Sequence, residues 1–209
     1  MIHTLISILL LNILAPNPSG LISYTINSNS ILTLTGSSNI NKFECTTNTI
    51  ITNGNILLEQ DNAEQSILFS NAKLKLEIKT FDCKNPLLNK DFYSTLNAEK
   101  SPYIEIELLN ATPIKNNKTI NTIEGNFKAK VAITLNGKCQ YDEIIVSWQK
   151  IENNTFRFLG TKQLLMSDFG INAPVMALGL IRVNKEILIH FDLYIQTNYK
   201  TTEQASSNN

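Results

Sequence analysis

A hydrophobic pattern with a period of two is the sequence feature that most constrains the fold. Residues 72–80 read AKLKLEIKT, with Leu74, Leu76 and Ile78 on one face and charged residues on the other. Successive side chains of a β-strand point to opposite faces, so this pattern predicts a strand with one buried and one solvated face. Neighbouring segments are rich in β-branched residues, which favours strands there as well.

The same alternation predicts strands along most of the chain. We place them at 24–26, 30–36, 40–47, 49–58, 66–70, 72–80, 104–108, 127–135, 138–148, 155–161 and 187–195, with an irregular segment at 164–179. Short connections indicate antiparallel pairing. An antiparallel β-barrel of about eight strands would remove the exposed sheet edges, and a two-sheet sandwich is the alternative.

Two Asn-Gly pairs, at 53–54 and 136–137, predict turns. A strict two-residue hairpin at the second pair would put Lys138 and Gln140 on the same face as the apolar residues of strand 127–135. This mixture predicts a bulge or a wider loop instead.

Residues 81–109 interrupt the strand pattern with one short helix. Asn89 is the predicted N-cap and Asp91 lies in the first turn, where a carboxylate meets the positive end of the helix dipole. Phe92 and Leu96 are four residues apart and form a stripe that we expect to face the barrel. The Ser-Pro pair at 101–102 ends the helix. A lone helix of this kind is expected to close or flank the barrel.

The two ends of the chain read differently from its centre. The segment MIHTLISILLLNIL is too short to span a bilayer but fits the apolar region of a secretory signal peptide. We predict that residues 1–23 are removed, that 24–197 form one domain and that 198–209 are a disordered tail. An apolar first strand is the alternative for the leader.

Charge and motif content exclude several functions. Eighteen basic and 18 acidic residues cancel, and the lysines are scattered, so nucleic acid is not an expected partner. His190 is the one histidine left after the leader, and its position in the alternation faces solvent. Asp168 precedes Phe-Gly and fits a turn, while Glu105 and Glu107 fit the wet face of a strand. We therefore predict no catalytic residues, no metal and no cofactor.

The three cysteines, Cys45, Cys83 and Cys139, fit one disulfide and one free thiol in an exported protein. Three pairings are open, and three unpaired buried thiols are the alternative.

Inward positions carry soft and aromatic side chains of the kind that line pockets for hydrocarbon chains. The periodicity alone does not distinguish such a pocket from a filled core. These residues are Phe127, Phe156, Phe158, Phe191, Met166 and Met176.

The central stretch DFYSTLNAEKSPYIEIEL resembles the hallmark segment of the YceI-like, polyisoprenoid-binding family. Other segments follow in the family's order: SILTL, then GSSNINKF, then IEGNF leading to VAITLNG, and finally MSDFGINAP before an apolar last strand. The resemblance covers about residues 24–196, and the order of these loose motifs is what carries it.

The resemblance implies a lipocalin-like antiparallel barrel that is exported to the periplasm or secreted and holds a long apolar lipid, such as a polyisoprenoid, without catalysis. It also implies a Cys45–Cys83 disulfide, because the two Phe-x-Cys elements match those of some members. The early histidines of other members are missing here. A homodimer is compatible with this interpretation, and the alternative function is an envelope structural or interaction protein with a filled barrel and no ligand.

Under the lipid-binding interpretation, we expect the ligand to contact the inward-facing apolar side chains. These are Leu74, Leu76, Ile78, Phe92, Leu96, Ile104, Ile106, Phe127, Val131, Ile133, Phe156, Phe158, Met166, Phe169, Met176, Ile189 and Phe191.

Overall fold

The computed structural model describes residues 19–50, 53–114, 123–152 and 154–199, without the side chains of Ser19, Met176, Ala177 and Tyr199. Within these ranges the chain forms strands, three short 3-10 turns and one α-helix. The strands are β1 (Ser19–Ile26), β2 (Ile31–Ser37), β3 (Lys42–Thr47), β4 (Asn53–Asp61), β5 (Ser66–Ser70), β6 (Lys73–Glu77), β7 (Tyr103–Pro113), β8 (Glu124–Leu135), β9 (Lys138–Glu152), β10 (Thr155–Leu165), β11 (Val175–Met176), β12 (Ile181–Arg182) and β13 (Glu186–Tyr199). The helix is α1 (Pro86–Thr95), and the 3-10 turns are Ile78–Thr80, Met166–Phe169 and Ala177–Gly179.

Eight of the described strands close into an antiparallel ring, which confirms the predicted barrel with one inserted helix. The ring runs β1-β4-β5-β7-β8-β9-β10-β13, and β13 returns to pair with β1. Within the described ranges no helix has the length and hydropathy required to cross a bilayer.

Two strands of the ring carry two partners end to end on one edge. The second half of β13 pairs with β1 and its first half with β2. In the same way, β7 pairs with β5 near its end and with β6 near its start. The strand β3, which pairs with β2, and β6 are not joined by a ladder.

A disulfide and one β-bridge span the gap between β3 and β6. Cys45 is bonded to Cys83, as the resemblance implied, and Thr46 forms a bridge with Asp82. We call the end of the barrel near Cys45–Cys83 the closed end. It is filled by buried apolar side chains that include Leu76, Ile78, Phe81, Phe92 and Leu96. Helix α1 covers this end, and Phe92 and Leu96 are the residues of its stripe that are buried.

The helix starts four residues earlier than the sequence predicts, so Asn89 and Asp91 are not in its cap and first turn. Asn85 is the N-cap: its side-chain oxygen accepts hydrogen bonds from the backbone N–H groups of Leu87 at 2.9 Å and Leu88 at 3.2 Å. Pro86 occupies the first helical position, where its missing N–H costs nothing. Asn89 instead accepts a hydrogen bond from Cys83 N at 2.6 Å and fixes the chain next to the disulfide.

The predicted bulge after strand β8 is wrong, because β8 and β9 form a strict hairpin. Asn136 and Gly137 both have positive φ, 51° and 71°, as a tight two-residue turn requires. The register pairs the last residue of β8 with Lys138, so the polar residues at the start of β9 do share a face with apolar ones. They are tolerated because β9 is not paired with β10 there, and Gln140 donates to Asp168 O at 2.9 Å instead.

Other bounds also differ from the predictions. The strand predicted at 72–80 ends at Glu77, where a 3-10 turn follows, and β7, β8 and β10 are longer than predicted. Asn53-Gly54 begins β4 instead of forming a turn. The first strand, β1, starts at Ser19, inside the segment predicted as a leader, and β13 continues to Tyr199, two residues into the predicted tail. Residues 1–18 and 200–209 lie outside the described part of the chain.

We expect the Cys45–Cys83 bond to contribute strongly to stability, because it replaces a missing ladder and closes a loop with a sequence separation of 38. Chain entropy for a loop of this length is worth about 3–4 kcal/mol. Replacing both cysteines by alanine should lower the free energy of unfolding by about this amount in urea titrations. The Cys139→Ser variant is the control, since Cys139 is a free, exposed thiol. Equal stability of the double variant and the wild type would contradict this role.

Candidate functional site

A cavity of about 1120 Å³ lies inside the eight-stranded ring, above the closed end. Its volume is slightly above the range of about 300–1,000 Å³ that is usual for small-molecule pockets. The cavity is partly open to solvent. Polar lining residues lie where β8 begins and where β7, β9 and β13 end, and we call this end of the barrel the mouth. They are Glu124, Asn126, Ser147 and Thr197.

The wall of the cavity is mainly aliphatic and aromatic because every strand of the ring turns one face inward. Each of β1, β4, β5, β7, β8, β9, β10 and β13 contributes side chains to it. Glycine has a specific role at one position of the wall. A Cβ atom on Gly160 would lie 2.2 Å from Cζ of Phe191, so the absence of a side chain lets the Phe191 ring lie across β10.

Nine of the side chains predicted to contact a ligand line this cavity. They are Leu74, Ile106, Phe127, Val131, Ile133, Phe156, Phe158, Ile189 and Phe191. Phe158 contacts two of the other aromatic members: its ring centroid lies 6.2 Å from that of Phe127 and 6.4 Å from that of Phe156.

Seven predicted side chains lie outside the cavity lining, in the packed closed end. They are Leu76, Ile78, Phe92, Leu96, Ile104, Met166 and Phe169. They point into the same interior as the cavity residues but lie at a different height in the barrel. At this height α1 and the 3-10 turns Ile78–Thr80 and Met166–Phe169 contribute buried side chains. The side chain of Met176 lies outside the described part of the structure.

Several lining residues were missed at the sequence level, notably Ile22 in β1, Ile56 and Leu58 in β4, and Ile67 and Phe69 in β5. The alternation of the last four was visible. Ile22 was missed because it was assigned to the leader.

Tyr24 closes the wall between β1 and β6. Its hydroxyl donates a hydrogen bond to the carbonyl oxygen of Lys73 at 3.1 Å, and its ring lines the cavity. Burial raises the pKa of the Tyr24 phenol above its ordinary value, because the phenolate would be poorly solvated there.

One ion pair reaches the apolar interior. Lys162 of β10 lines the cavity and its Nζ contacts Asp142 of β9. The side chains are 24% and 34% exposed, respectively. The inward position of Lys162 was predictable from the sequence, since Lys162 follows the inward residues Phe156, Phe158 and Gly160 at a spacing of two.

The polar residues that could have catalytic roles do not lie together in one site. His190 is exposed, as predicted, and its Nδ1 lies 2.9 Å from the Thr161 hydroxyl. Glu105 and Glu107 form surface ion pairs with Lys75 and Lys73. In the part of the chain that the structure describes, no group of three or more His, Cys, Asp or Glu residues could hold a metal ion.

Comparisons with known proteins agree with this architecture. A family model described as YceI-like domain matches residues 23–195. The structure of BcnA from Burkholderia cenocepacia is similar, with a TM-score of 0.61 and 14% identity over 81% of this chain and 99% of that chain. A polyisoprenoid binding domain from Saccharophagus degradans, implicated in plant cell wall breakdown, has a TM-score of 0.59 and 8% identity over 84% of this chain and 98% of that chain. No curated protein matches the chain.

The raised pKa of Tyr24 predicts a pH-dependent contribution to stability. A folded-state pKa above the unfolded one favours the neutral phenol, so its stabilisation is complete below the ordinary pKa and is lost as the pH rises through the folded value. At neutral pH, Tyr24→Phe should lose about 1 kcal/mol with the hydrogen bond to Lys73. Its deficit relative to wild type should shrink as the pH rises above about 10, measured by urea unfolding.

The control for this prediction is Tyr141→Phe, because Tyr141 is 77% exposed. Its difference from wild type should not change over the same pH range. A deficit of Tyr24→Phe that stays constant would show that the Tyr24 phenol is not buried in solution.

Proposed function

Because the chain belongs to the YceI-like family, we propose that it is a non-catalytic binding protein that sequesters or carries a long apolar lipid of the polyisoprenoid type inside its barrel. The observation that carries this proposal is the apolar cavity of about 1120 Å³ enclosed by the eight-stranded ring. A related solved structure is described as a polyisoprenoid binding domain, which supports the ligand class.

Hydrophobic burial supplies the binding free energy in this proposal. Transfer of a hydrocarbon chain from water into the cavity is worth about 0.8 kcal/mol per methylene group. The packed closed end limits how deep the chain can enter, so the length and shape of the cavity select the ligand. The alternative function, a filled barrel without ligand, fits less well. Protein interiors are normally close-packed, whereas the side chains that line this cavity lack packing partners.

Lipid binding is tested by filling the cavity at one residue. Val146 lines the cavity and is 5% exposed, and Val146→Trp would displace several methylene groups of a bound chain. Affinity for geranylgeraniol should fall at least 10-fold, since each lost methylene contact is worth about 0.8 kcal/mol. Ile145→Trp is the matched control, because the adjacent Ile145 is on the outer face and 54% exposed. Binding is measured by displacement of an apolar fluorescent probe.

A second measurement identifies the natural ligand. Mass spectrometry of an organic extract of purified protein should detect a long-chain lipid in the wild type and less of it in Val146→Trp. No extracted lipid and no binding of geranylgeraniol by the wild type would refute the proposed function.

The proposed site of action is the periplasm or the exterior of the cell. The apolar segment at residues 5–14 fits an export signal, and a disulfide such as Cys45–Cys83 persists in oxidising compartments. Since β1 begins at Ser19 and Ile22 is 2% exposed in the barrel wall, the signal should be cleaved at or before Pro18.

Export is tested by expressing the full chain in a Gram-negative host and sequencing the N-terminus of the periplasmic protein. The matched variant Leu10→Arg interrupts the apolar run and should keep the protein in the cytoplasm with its leader intact. A wild type that stays in the cytoplasm would refute export, and cleavage after Ser23 would refute the proposed boundary.

A further inference from the structure

The wall of the barrel is interrupted between β9 and β10. Their ladder extends from Thr155 and Glu152 to Gly160 and Val146 and ends there, although both strands continue toward the closed end. The Lys162–Asp142 ion pair lies just beyond the last rung. It bridges the strands with side chains where backbone hydrogen bonds are missing.

Both residues of the pair face the interior. Lys162 is the register partner of Ile189 on β13, and Asp142 is the partner of Val131 on β8; residues directly opposite in an antiparallel pair share a face. Ile189 and Val131 are both buried and both line the cavity. The pair is therefore part of the cavity wall at its inner end. Lys162 is six positions after Phe156 on β10, which corresponds to about 20 Å of strand.

The hydrogen bonds of the ammonium group can be counted. Lys162 Nζ donates to the Asp142 carboxylate and to the carbonyl oxygen of Glu143 at 3.1 Å. Asp142 also accepts from the backbone N–H of Glu143 at 2.8 Å. An ammonium group has three protons, so one donor of Lys162 remains for a further acceptor. The pair as a whole is neutral, because the carboxylate balances the ammonium charge.

A donor of this kind favours a neutral oxygen over an anion. A hydroxyl or carbonyl oxygen can accept the remaining proton without bringing an extra charge into an apolar cavity. A phosphate or carboxylate would lose its hydration there and would meet Asp142, which has the same sign of charge.

The polar groups at the mouth are less suitable for a head group, because they already have partners within the protein. Ser147 Oγ donates to Asn126 Oδ1 at 2.7 Å, and Thr197 Oγ1 donates to Asn154 O at 3.5 Å. The other donor that could bind a ligand head group is the indole N–H of Trp148. Trp148 lines the cavity, and its indole makes no hydrogen bond within the described residues.

We propose that Lys162, held by Asp142, is a head-group site at the inner end of the cavity, so that the lipid binds head inward and ends in a single neutral hydrogen-bond acceptor such as an alcohol or carbonyl oxygen. This inference rests on the proposed lipid-binding function and specifies the ligand class and its orientation.

The test compares three probes that share one isoprenoid chain: geranylgeraniol, the hydrocarbon that lacks its hydroxyl group, and geranylgeranyl diphosphate. The wild type should bind the alcohol about 10-fold more tightly than the hydrocarbon, the value of one hydrogen bond from a charged donor, and more tightly than the diphosphate. Lys162→Met should lose this preference, and Lys162→Arg, which keeps the charge and the donors, should retain it.

Two further variants test the orientation of the ligand and the role of the Asp142 charge, and distinguish both from a general loss of binding. Trp148→Phe removes the competing donor at the mouth and should leave the preference for the alcohol unchanged. Asp142→Asn removes the balancing charge and should strengthen binding of the diphosphate relative to the alcohol by about 10-fold, because the Lys162 ammonium is then uncompensated. Urea titrations define conditions in which each variant is folded.

Each other outcome overturns a definite step. Equal binding of alcohol and hydrocarbon by the wild type, or an unchanged preference in Lys162→Met, refutes the head-group site. Loss of the preference in Trp148→Phe places the head group at the mouth. An unchanged diphosphate affinity in Asp142→Asn shows that Lys162 does not reach the ligand. If none of the three probes binds to the wild type, the proposed lipid-binding function itself fails.

Discussion

A strand has only two edges, and the architecture of this barrel follows from how β13 and β7 share theirs. One edge of β13 is paired with β10 over residues 186–196, so β1 and β2 must divide the other edge between them. The edge of β7 that faces away from β8 is divided in the same way between β5 and β6. The barrel thus consists of two levels. At one level the ladders close a complete ring, and at the other the ring is interrupted between β3 and β6 and between β9 and β10.

The interruption between β3 and β6 explains why the chain needs a helix and a disulfide at the closed end. Unpaired strand edges beside a hydrophobic interior would be exposed to water and to other chains. The Cys45–Cys83 bond and the Thr46–Asp82 bridge hold the two edges together. Helix α1 contributes Phe92 to a packed interior, and Leu96, which directly follows the helix, packs there as well. At the other level the ring closes without such a plug, and the interior stays hollow.

The sequence is sufficient to predict the faces of the strands but not their height in the barrel. Leu74 and Leu76 have the same pattern and the same inward orientation, yet Leu74 lines the cavity and Leu76 is packed in the closed end. Their heights are set by pairing with Ile106 and Ile104 of β7, which is a long-range contact. Of the helix, the apolar stripe was predictable from spacing, whereas the choice of Asn85 over Asn89 as the cap depended on the contact of Asn89 with Cys83.

Predictions from the local sequence pattern were wrong most clearly where the barrel wall is irregular. The polar residues at the start of β9 argued against a strict hairpin, because a continuous wall would bury them against apolar neighbours. The hairpin is nevertheless strict, since β10 leaves β9 after Gly160 and these residues meet the Met166–Phe169 turn and Lys162 instead. A large unpacked apolar wall also forgoes the dispersion contacts that stabilise an ordinary core. The stability of the ligand-free protein must therefore come from the ladders, the packed closed end and the disulfide. A bound lipid would add RT ln(1 + L/Kd) to the free energy of unfolding, where L is the concentration of free lipid.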